Sequence, residues 1–278
     1  MTLDILISTL GIDGINRVAK MNLPTVKDVK YIISWQVPGI ENPSEMIPIQ
    51  LIRDDISIYP IDSRGISINR NNAIKHSTAD ICLIADDDLI YTTQQLQSVI
   101  NAFVENPDYE LITFKYSGDD NKNYPIAPFD LTEKQKGYYV SEIEIAFRRK
   151  ICDKVLFNEY FGPGLHPLQA CEGAIFIHQA ISLGIRTRFI PYTITHHTGG
   201  ISTGNRVLTP GVLMAQGAYI AIVYPYTALF RLPLFAWRSF RRGQTKMFPA
   251  MRHLWRGYIY GKRYFNHDGS IKKTPPQI

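Results

Sequence analysis

Ile81-Cys82-Leu83-Ile84-Ala85-Asp86-Asp87-Asp88 is an apolar run of strand length closed by three consecutive carboxylates. Side chains alternate along extended backbone, so Asp86 and Asp88 project to the same side and can serve one cation. Neighbouring like charges are costly unless something positive lies between them. Mg²⁺ or Mn²⁺ takes hard oxygen ligands, commonly one or two carboxylates together with substrate phosphates. The carboxyl end of a parallel strand is also where open α/β sheets bind their ligands. The plainer alternative is a solvated turn with Asp88 near a helix start.

The segments on either side set this run in an alternating pattern. Leu3 to Leu10, Val29 to Trp35, Ile47 to Ile52 and Glu110 to Tyr116 join Ile81 to Ala85 as strand candidates, rich in β-branched residues. Helix candidates lie between them at Ile15 to Met21, Ile66 to His76 and Thr92 to Val104, the last opening with Thr92-x-x-Gln95, the spacing of a capping box. Strand, helix, strand in series implies parallel pairing through crossovers, hence an α/β fold with a mostly parallel, Rossmann-like sheet flanked by helices. Ser117 to Lys136 is polar and rich in Asp, Asn and Pro, and is expected to be a loop. A further strand is expected at Val140 to Arg148, a Gly/Pro loop at Phe161 to Gly164, a helix from Glu172 to Leu183 stopped by Gly184, and a last strand at Arg188 to Tyr192.

The chain has 278 residues, 45% of them hydrophobic, which suffices for one large domain or two small ones and excludes disorder or a small disulfide scaffold. Three cysteines without a Cys-x-x-Cys pair, and an opening MTLDILIST without a basic leader, point to a reducing, cytoplasmic compartment. The net charge of +5 is unevenly placed: residues 1–205 carry 18 Lys and Arg against 24 Asp and Glu, a net of −6, whereas residues 206–278 carry 12 against 1, a net of +11. This divides the chain into a main domain, 1–205, and a basic, apolar C-terminal extension, 206–278. Such a tail suits an anionic partner. Gly211 to Phe230 holds twenty residues without a charge, the length at which a spanning helix is considered, although Gln216, Gly217 and Pro225 interrupt it. Arg231, Arg238, Arg241 and Arg242 follow, interleaved with Leu232, Leu234, Phe235, Trp237 and Phe240. That mixture suits an amphipathic segment lying in an anionic membrane interface, against the alternative of a buried helix with a solvated basic neighbour. No nucleic-acid motif accompanies the charge, so nucleic acid is not expected as a partner.

The block Gly65-Ile66-Ser67-Ile68-Asn69-Arg70-Asn71-Asn72-Ala73-Ile74, followed by Ala79 to Asp88, resembles the donor-site signature of family 2 glycosyltransferases, in which a Gly-x-Ser-x-x-Arg-Asn helix leads into a strand ending in Asp-x-Asp. The resemblance spans about residues 3 to 205. It implies a GT-A fold, a nucleotide diphosphate sugar donor and a divalent cation, Mn²⁺ or Mg²⁺. On that carry-over, Asp86 lies near the ribose and Asp88 coordinates the metal, with Asp86 as a second ligand. Thr9, Gln36, Arg64, Asn71 and Asp87 are further candidates for the nucleotide-sugar pocket. The family often has an acidic residue after its second strand, where this chain reads Ser34-Trp35-Gln36.

Phe161 to Gly164, Cys171-Glu172-Gly173 and His196-His197 look like the family's acceptor half, where an acidic pair opens a helix and its aspartate acts as general base. Here the aspartate position is Gly173, which leaves Glu172 for the role. A partly buried Glu can have its pKa raised toward neutrality and serve as a base, or it can merely complement a helix N-terminus. The family commonly has a histidine facing the diphosphate or its metal. Of His196 and His197, whose side chains point oppositely in extended chain, His197 is taken as the metal-side residue.

The leading expectation is thus an inverting, metal-dependent transferase acting on a hydroxyl of a glycan or lipid-linked acceptor in polysaccharide biosynthesis, peripheral on the cytoplasmic membrane face. Two alternatives stand beside it. One is a non-catalytic, membrane-docked nucleotide- or sugar-binding protein of the same fold. The other is an aspartyl-phosphate phosphatase, disfavoured because its Asp-x-Asp belongs on a first strand.

Overall fold

The computed structural model describes residues 1–118, 122–133, 135, 137–198 and 208–276. The chain forms two compact units: Met1–Arg64, Ile68–Leu156 and Gly184–Gly200 make the first, and Gly65–Ser67, Phe157–Leu183 and Ile201–Ile278 the second. Glu172 and its helix therefore belong with the C-terminal segment, and the expected 205/206 boundary lies outside the described residues.

In the first unit β1 (Leu3–Leu10) is buried over seven of its eight residues and runs straight into α1 (Gly11–Lys20), Gly11 making the turn at φ +68°. α1 starts four residues before the sequence expectation. β2 (Val29–Gln36) extends one residue past Trp35, so Gln36 is the last residue of the strand. The expected strand Ile47 to Ile52 does not form. Pro48 supplies no backbone donor, Ile49 and Ile52 face solvent, and the segment folds as short 3₁₀ turns. The third strand is instead β3 (Ile56–Ile61), whose Pro60 is tolerated because β3 is an edge strand.

α2 (Ile66–His76) and β4 (Ile81–Asp86) follow where the sequence places them. Asp4, buried in β1, accepts hydrogen bonds from Ser77 Oγ and the Thr78 and Ala79 amides, tying the end of α2 to the first strand. β5 (Leu89–Ile90) is a short strand, and α3 (Thr93–Glu105) opens with the expected capping box between Thr92 and Gln95. β6 (Leu111–Ser117) precedes the polar loop, which contains a two-residue strand, β7 (Phe129–Asp130); residues 119–121, 134 and 136 of that loop lie outside the described residues. The expected strand at Val140 to Arg148 is shorter: Glu142–Glu144 forms a 3₁₀ turn and only β8 (Ile145–Arg148) is extended.

α4 (Glu172–Ser182), in the second unit, ends as expected at Gly184, φ +73°. β9 (Thr187–His197) runs five residues beyond the expected end, so His196 and His197 sit on a strand rather than in a loop.

The strands form one sheet in the order β3-β2-β1-β4-β8-β6-β9-β5, with β7 also on β9. β1, β2, β3 and β4 pair in parallel, as do β6 and β9; β8, β5 and β7 pair antiparallel. The α/β fold class holds, with a sheet that is mixed rather than mostly parallel.

In the second unit the uncharged stretch 211–230 is not one helix. α5 (Pro210–Val223) is capped by Thr209 and ends at Tyr224, Pro225 lies in the turn, and α6 (Ala228–Arg241) starts anew. Fourteen residues are too short to span a bilayer, and among the described residues no helix is long and apolar enough to cross a membrane. α5 packs against α7 (Met247–Tyr264) so closely that a Cβ on Gly217 would stand 2.0 Å from the Leu254 carbonyl oxygen, and one on Gly257 2.0 Å from that of Met214.

Candidate functional site

The three carboxylates at the end of β4 have three different surroundings. Asp88 is set by strand pairing: β5 runs antiparallel to the end of β9, with Leu89 opposite His197 and Ile90 opposite His196, and Thr198 donates to the Asp88 carbonyl through its amide (3.0 Å) and hydroxyl (2.8 Å). This register brings His197 Nε2 to 3.2 Å from Asp88 Oδ2. The other oxygen, Oδ1, is buried and has no hydrogen-bond partner among the described residues. Burial raises the Asp88 pKa above the usual carboxylate range, Asp86 and Asp87 push the same way, and His197 opposes them. His196 points the other way, its Nδ1 3.1 Å from Ser117 Oγ.

Asp87 is held within the protein. Thr9 Oγ1 donates to its Oδ2 at 2.6 Å, and Arg17 Nε and Nη2 donate to Oδ1 and Oδ2 at 3.0 and 2.8 Å, a bidentate fork. The hydrogen bond to Asp87 raises the Arg17 pKa, so this cation stays charged. The approach of α1 to this pair needs glycine at one position: a Cβ on Gly14 would lie 2.2 Å from Thr9 Oγ1 and 3.2 Å from Asp87 Oδ2.

Asp86 is the most open of the three. Its Oδ1 accepts from Arg70 Nη2 at 3.1 Å; the Arg70 side chain is 3% exposed and that of Asp86 39%. Arg70 comes from α2, whose Asn69 donates to the Thr9 carbonyl (3.0 Å) and whose Asn72 donates to Ser34 Oγ (2.8 Å). The parallel registers set Ser8 beside both Ser34 and Asp86, so the carboxyl ends of β1, β2 and β4 lie together. Gln36, at the end of β2, is buried and donates to Ser63 Oγ at 2.9 Å. Asn71 is half-buried on α2, and Arg64 is exposed.

Thr9, Asp86, Asp87, Asp88 and His197 are thus brought into one cluster, whereas Gln36 lies at the neighbouring strand end and Arg64 points to solvent. Arg17 had no signal in the sequence, being 70 residues from its partner. Arg70 stands in the signature on α2, with the ion pair to Asp86 as its role. No group of three or more His, Cys, Asp or Glu side chains is gathered as a ready metal site among the described residues. The residues nevertheless fit a hard cation: a buried carboxylate oxygen without a donor among the described residues, beside a second carboxylate and an imidazole, supplies part of a coordination shell that substrate phosphates would complete.

In the second unit Glu172 is the first residue of α4, 5% exposed, entered through Cys171 at φ +71°. The Gly/Pro loop folds over it. Gly162 has φ +119°, and a Cβ there would stand 3.2 Å from Glu172 Cδ and 2.5 Å from Ile66 Cγ2. Ser67 Oγ donates to the Phe161 carbonyl at 2.6 Å and the Ile66 amide to that of Pro163 at 3.0 Å, so the first turn of α2 braces this loop. Gly173 is buried, and Glu172 is the carboxylate at the head of the helix.

Residues 49–159 match the family model described as Glycosyl transferase family 2. Among solved structures, residues 1–349 of TarS from S. aureus superpose with a TM-score of 0.55 at 12% identity, covering 95% of this chain and 93% of that one. The same TarS segment in complex with UDP gives 0.53 at 15% identity, over 87% of this chain and 72% of that one. Its complex with UDP-GlcNAc gives 0.54 at 16% identity, over 87% and 73%. At these identities the likeness is one of fold. No curated protein sequence matches the chain.

Proposed function

We propose, on the premise that the chain is a family 2 glycosyltransferase, that it moves a sugar with inversion from a nucleotide diphosphate sugar to a hydroxyl of a glycan or lipid-linked acceptor, as in polysaccharide biosynthesis. The observation that carries this reading is Asp88, whose buried Oδ1 has no donor among the described residues while Oδ2 faces His197. Asp88 and His197, with Asp86, would hold Mn²⁺ or Mg²⁺. When bound, the cation would neutralise charge on the departing nucleotide diphosphate.

The chain's own residues divide the remaining work. Asp86, fixed through Oδ1 by Arg70 and partly open, accepts from the ribose hydroxyls. Asp87 is a positioning residue, locking β4 to α1 through Arg17 and to β1 through Thr9. Glu172 takes the proton from the acceptor hydroxyl as its oxygen bonds to the anomeric carbon and the bond to the diphosphate breaks. TarS binds UDP and UDP-GlcNAc in the structures named above, which supports a uridine diphosphate sugar as the first donor to test. The family match sets the phosphatase alternative aside. We place the enzyme peripherally at the cytoplasmic face of a membrane.

The test is calorimetric binding of UDP, GDP, CDP and dTDP with and without Mn²⁺, repeated on Asp88→Ala. One nucleotide binding only with the metal, and lost in the variant, supports the reading; no binding under any metal overturns it. Slow hydrolysis of the matching nucleotide sugar, abolished in Glu172→Gln, separates an enzyme from a binding protein of the same fold.

A further inference from the structure

The helices at the C-terminus present apolar side chains on two sides, and only one side is used by the core. On α6, Ala228, Leu232, Ala236 and Ser239 are buried against α5 and α7. The opposite side carries Phe230, Leu234 and Trp237, flanked by Leu229 and Phe240, all exposed, with Phe230 at 80%. α7 repeats the pattern: Ala250, Leu254, Gly257 and Gly261 face inward, while Phe248, Trp255 and Ile259 face solvent, Phe248 at 88%. Exposed large side chains in such density mark an interaction surface rather than ordinary scatter.

The charges around these side chains are of one sign. Arg238, Arg241, Arg242 and Lys246 are exposed on and just past α6, and Arg252, Arg256, Lys262 and Arg263 are exposed on α7, while the sequence has no Asp or Glu from 206 to 267. Two of these cations lie over aromatic rings of their own helices, Arg241 over Trp237 at 5.7 Å and Lys262 over Tyr258 at 5.6 Å.

We infer that the outer sides of α6 and α7 together form a docking surface for an anionic lipid bilayer. The aromatic and aliphatic side chains enter the acyl boundary, and the guanidinium and ammonium groups reach back to the lipid phosphates. The single sign of charge selects this occupant. A protein partner would need an acidic, apolar complement, and a second copy would bring like charges together. The Arg-rich segment that the sequence assigns to the interface is α6, with Leu232 turned into the core, and α7 adds a second exposed side, whereas residues 211–223 of the uncharged stretch 211–230 form α5. The inference rests on this charge and exposure, not on the sugar chemistry.

The test is flotation of the full chain with vesicles of phosphatidylcholine alone and with about 30% phosphatidylglycerol added. Binding is expected only with the anionic lipid and is expected to weaken as salt rises. Each surface charge removed should lower partitioning about fivefold, hence ~25-fold for Arg238→Gln with Arg241→Gln, surface changes that leave the helix core intact. Emission of Trp237 and Trp255 should shift to the blue on binding and be quenched by brominated lipid; Trp35 is fully buried and stays constant. Binding indifferent to lipid charge, no binding at all, or a lipid-free, concentration-dependent dimer that shields Trp237 and Trp255 would each overturn the inference. Vesicle binding without nucleotide binding would sink the transferase reading and leave this one standing.

Discussion

Replacing Asp88 by Asn should make the ligand-free protein more stable and the liganded protein less so. Asp88 Oδ1 is buried without a donor among the described residues, and the carboxylate lies beside Asp86 and Asp87, so in the absence of a cation its charge is a burden. An amide of the same shape removes the charge and keeps an oxygen or nitrogen toward His197. An unsatisfied buried acceptor costs on the order of 1–3 kcal/mol, and more when charged; taking the low end for a residue that water partly reaches, the gain is about 1 kcal/mol. For a chain of this size that is a rise in Tm of about 2–4 °C in EDTA. With UDP and Mn²⁺ at about a hundredfold excess over Kd, the wild type gains ~2.7 kcal/mol by mass action and the variant gains little, so the order of melting reverses. The pH dependence has a definite sign. A carboxyl whose pKa is raised on folding contributes stability that is lost as pH rises through the folded value, so the variant's advantage in EDTA should grow with pH and vanish in acid, where Asp88 neutralises itself. Scanning calorimetry of both proteins, with EDTA and with UDP and Mn²⁺, decides the matter. A variant that melts below wild type in EDTA, or that gains as much from UDP and Mn²⁺, would refute the reasoning.

Glu144 is buried, binds Lys122 and Tyr124, and is pushed up to about 7 chiefly by burial. Its contribution to stability is full below about pH 4.5 and lost as pH rises through about 7, so Glu144→Gln should gain on the wild type over that interval in urea midpoints taken at pH values spanning it. Gly257→Ala places a methyl 2.0 Å from the Met214 carbonyl oxygen and 2.7 Å from its carbon; overpacking of about 1–3 kcal/mol should outweigh the ~1 kcal/mol helix gain, seen as a lower urea midpoint. Thr92→Ala removes the capping box of α3 and should cost about 1 kcal/mol by the same measurement, with nucleotide binding unchanged in calorimetry.

Local chemistry made much of this molecule readable. The apolar run into Asp86, the Thr92 cap and the stop at Gly184 are signals carried by residues within one turn of each other, and all three elements formed where expected. Composition misled where it could not report which side of a segment meets solvent. Ile47 to Ile52 is as apolar as Ile56 to Ile61, yet Ile49 and Ile52 are exposed and the strand forms downstream, at an edge that accommodates Pro60. Within the site, opposite projection of His196 and His197 followed from extended backbone, and the structure sets them against Ser117 and Asp88 respectively. The Arg17 fork on Asp87 and the Arg70 pair with Asp86 are tertiary, 70 and 16 residues apart in the chain, and no local pattern announces such contacts.

The helix carrying Glu172 shares its core with residues made long after it. Phe161, Leu168 and Ile175 pack with Ala215, Ala218, Ile222, Tyr264 and Phe265. During synthesis this loop and helix leave the ribosome with that side uncovered, and they remain so until α5 and α7 have been translated. The C-terminal helices therefore cover the segment that bears the proposed base, and a chain cut before α5 would carry Phe161 and Ile175 into water instead of simply losing the proposed docking surface.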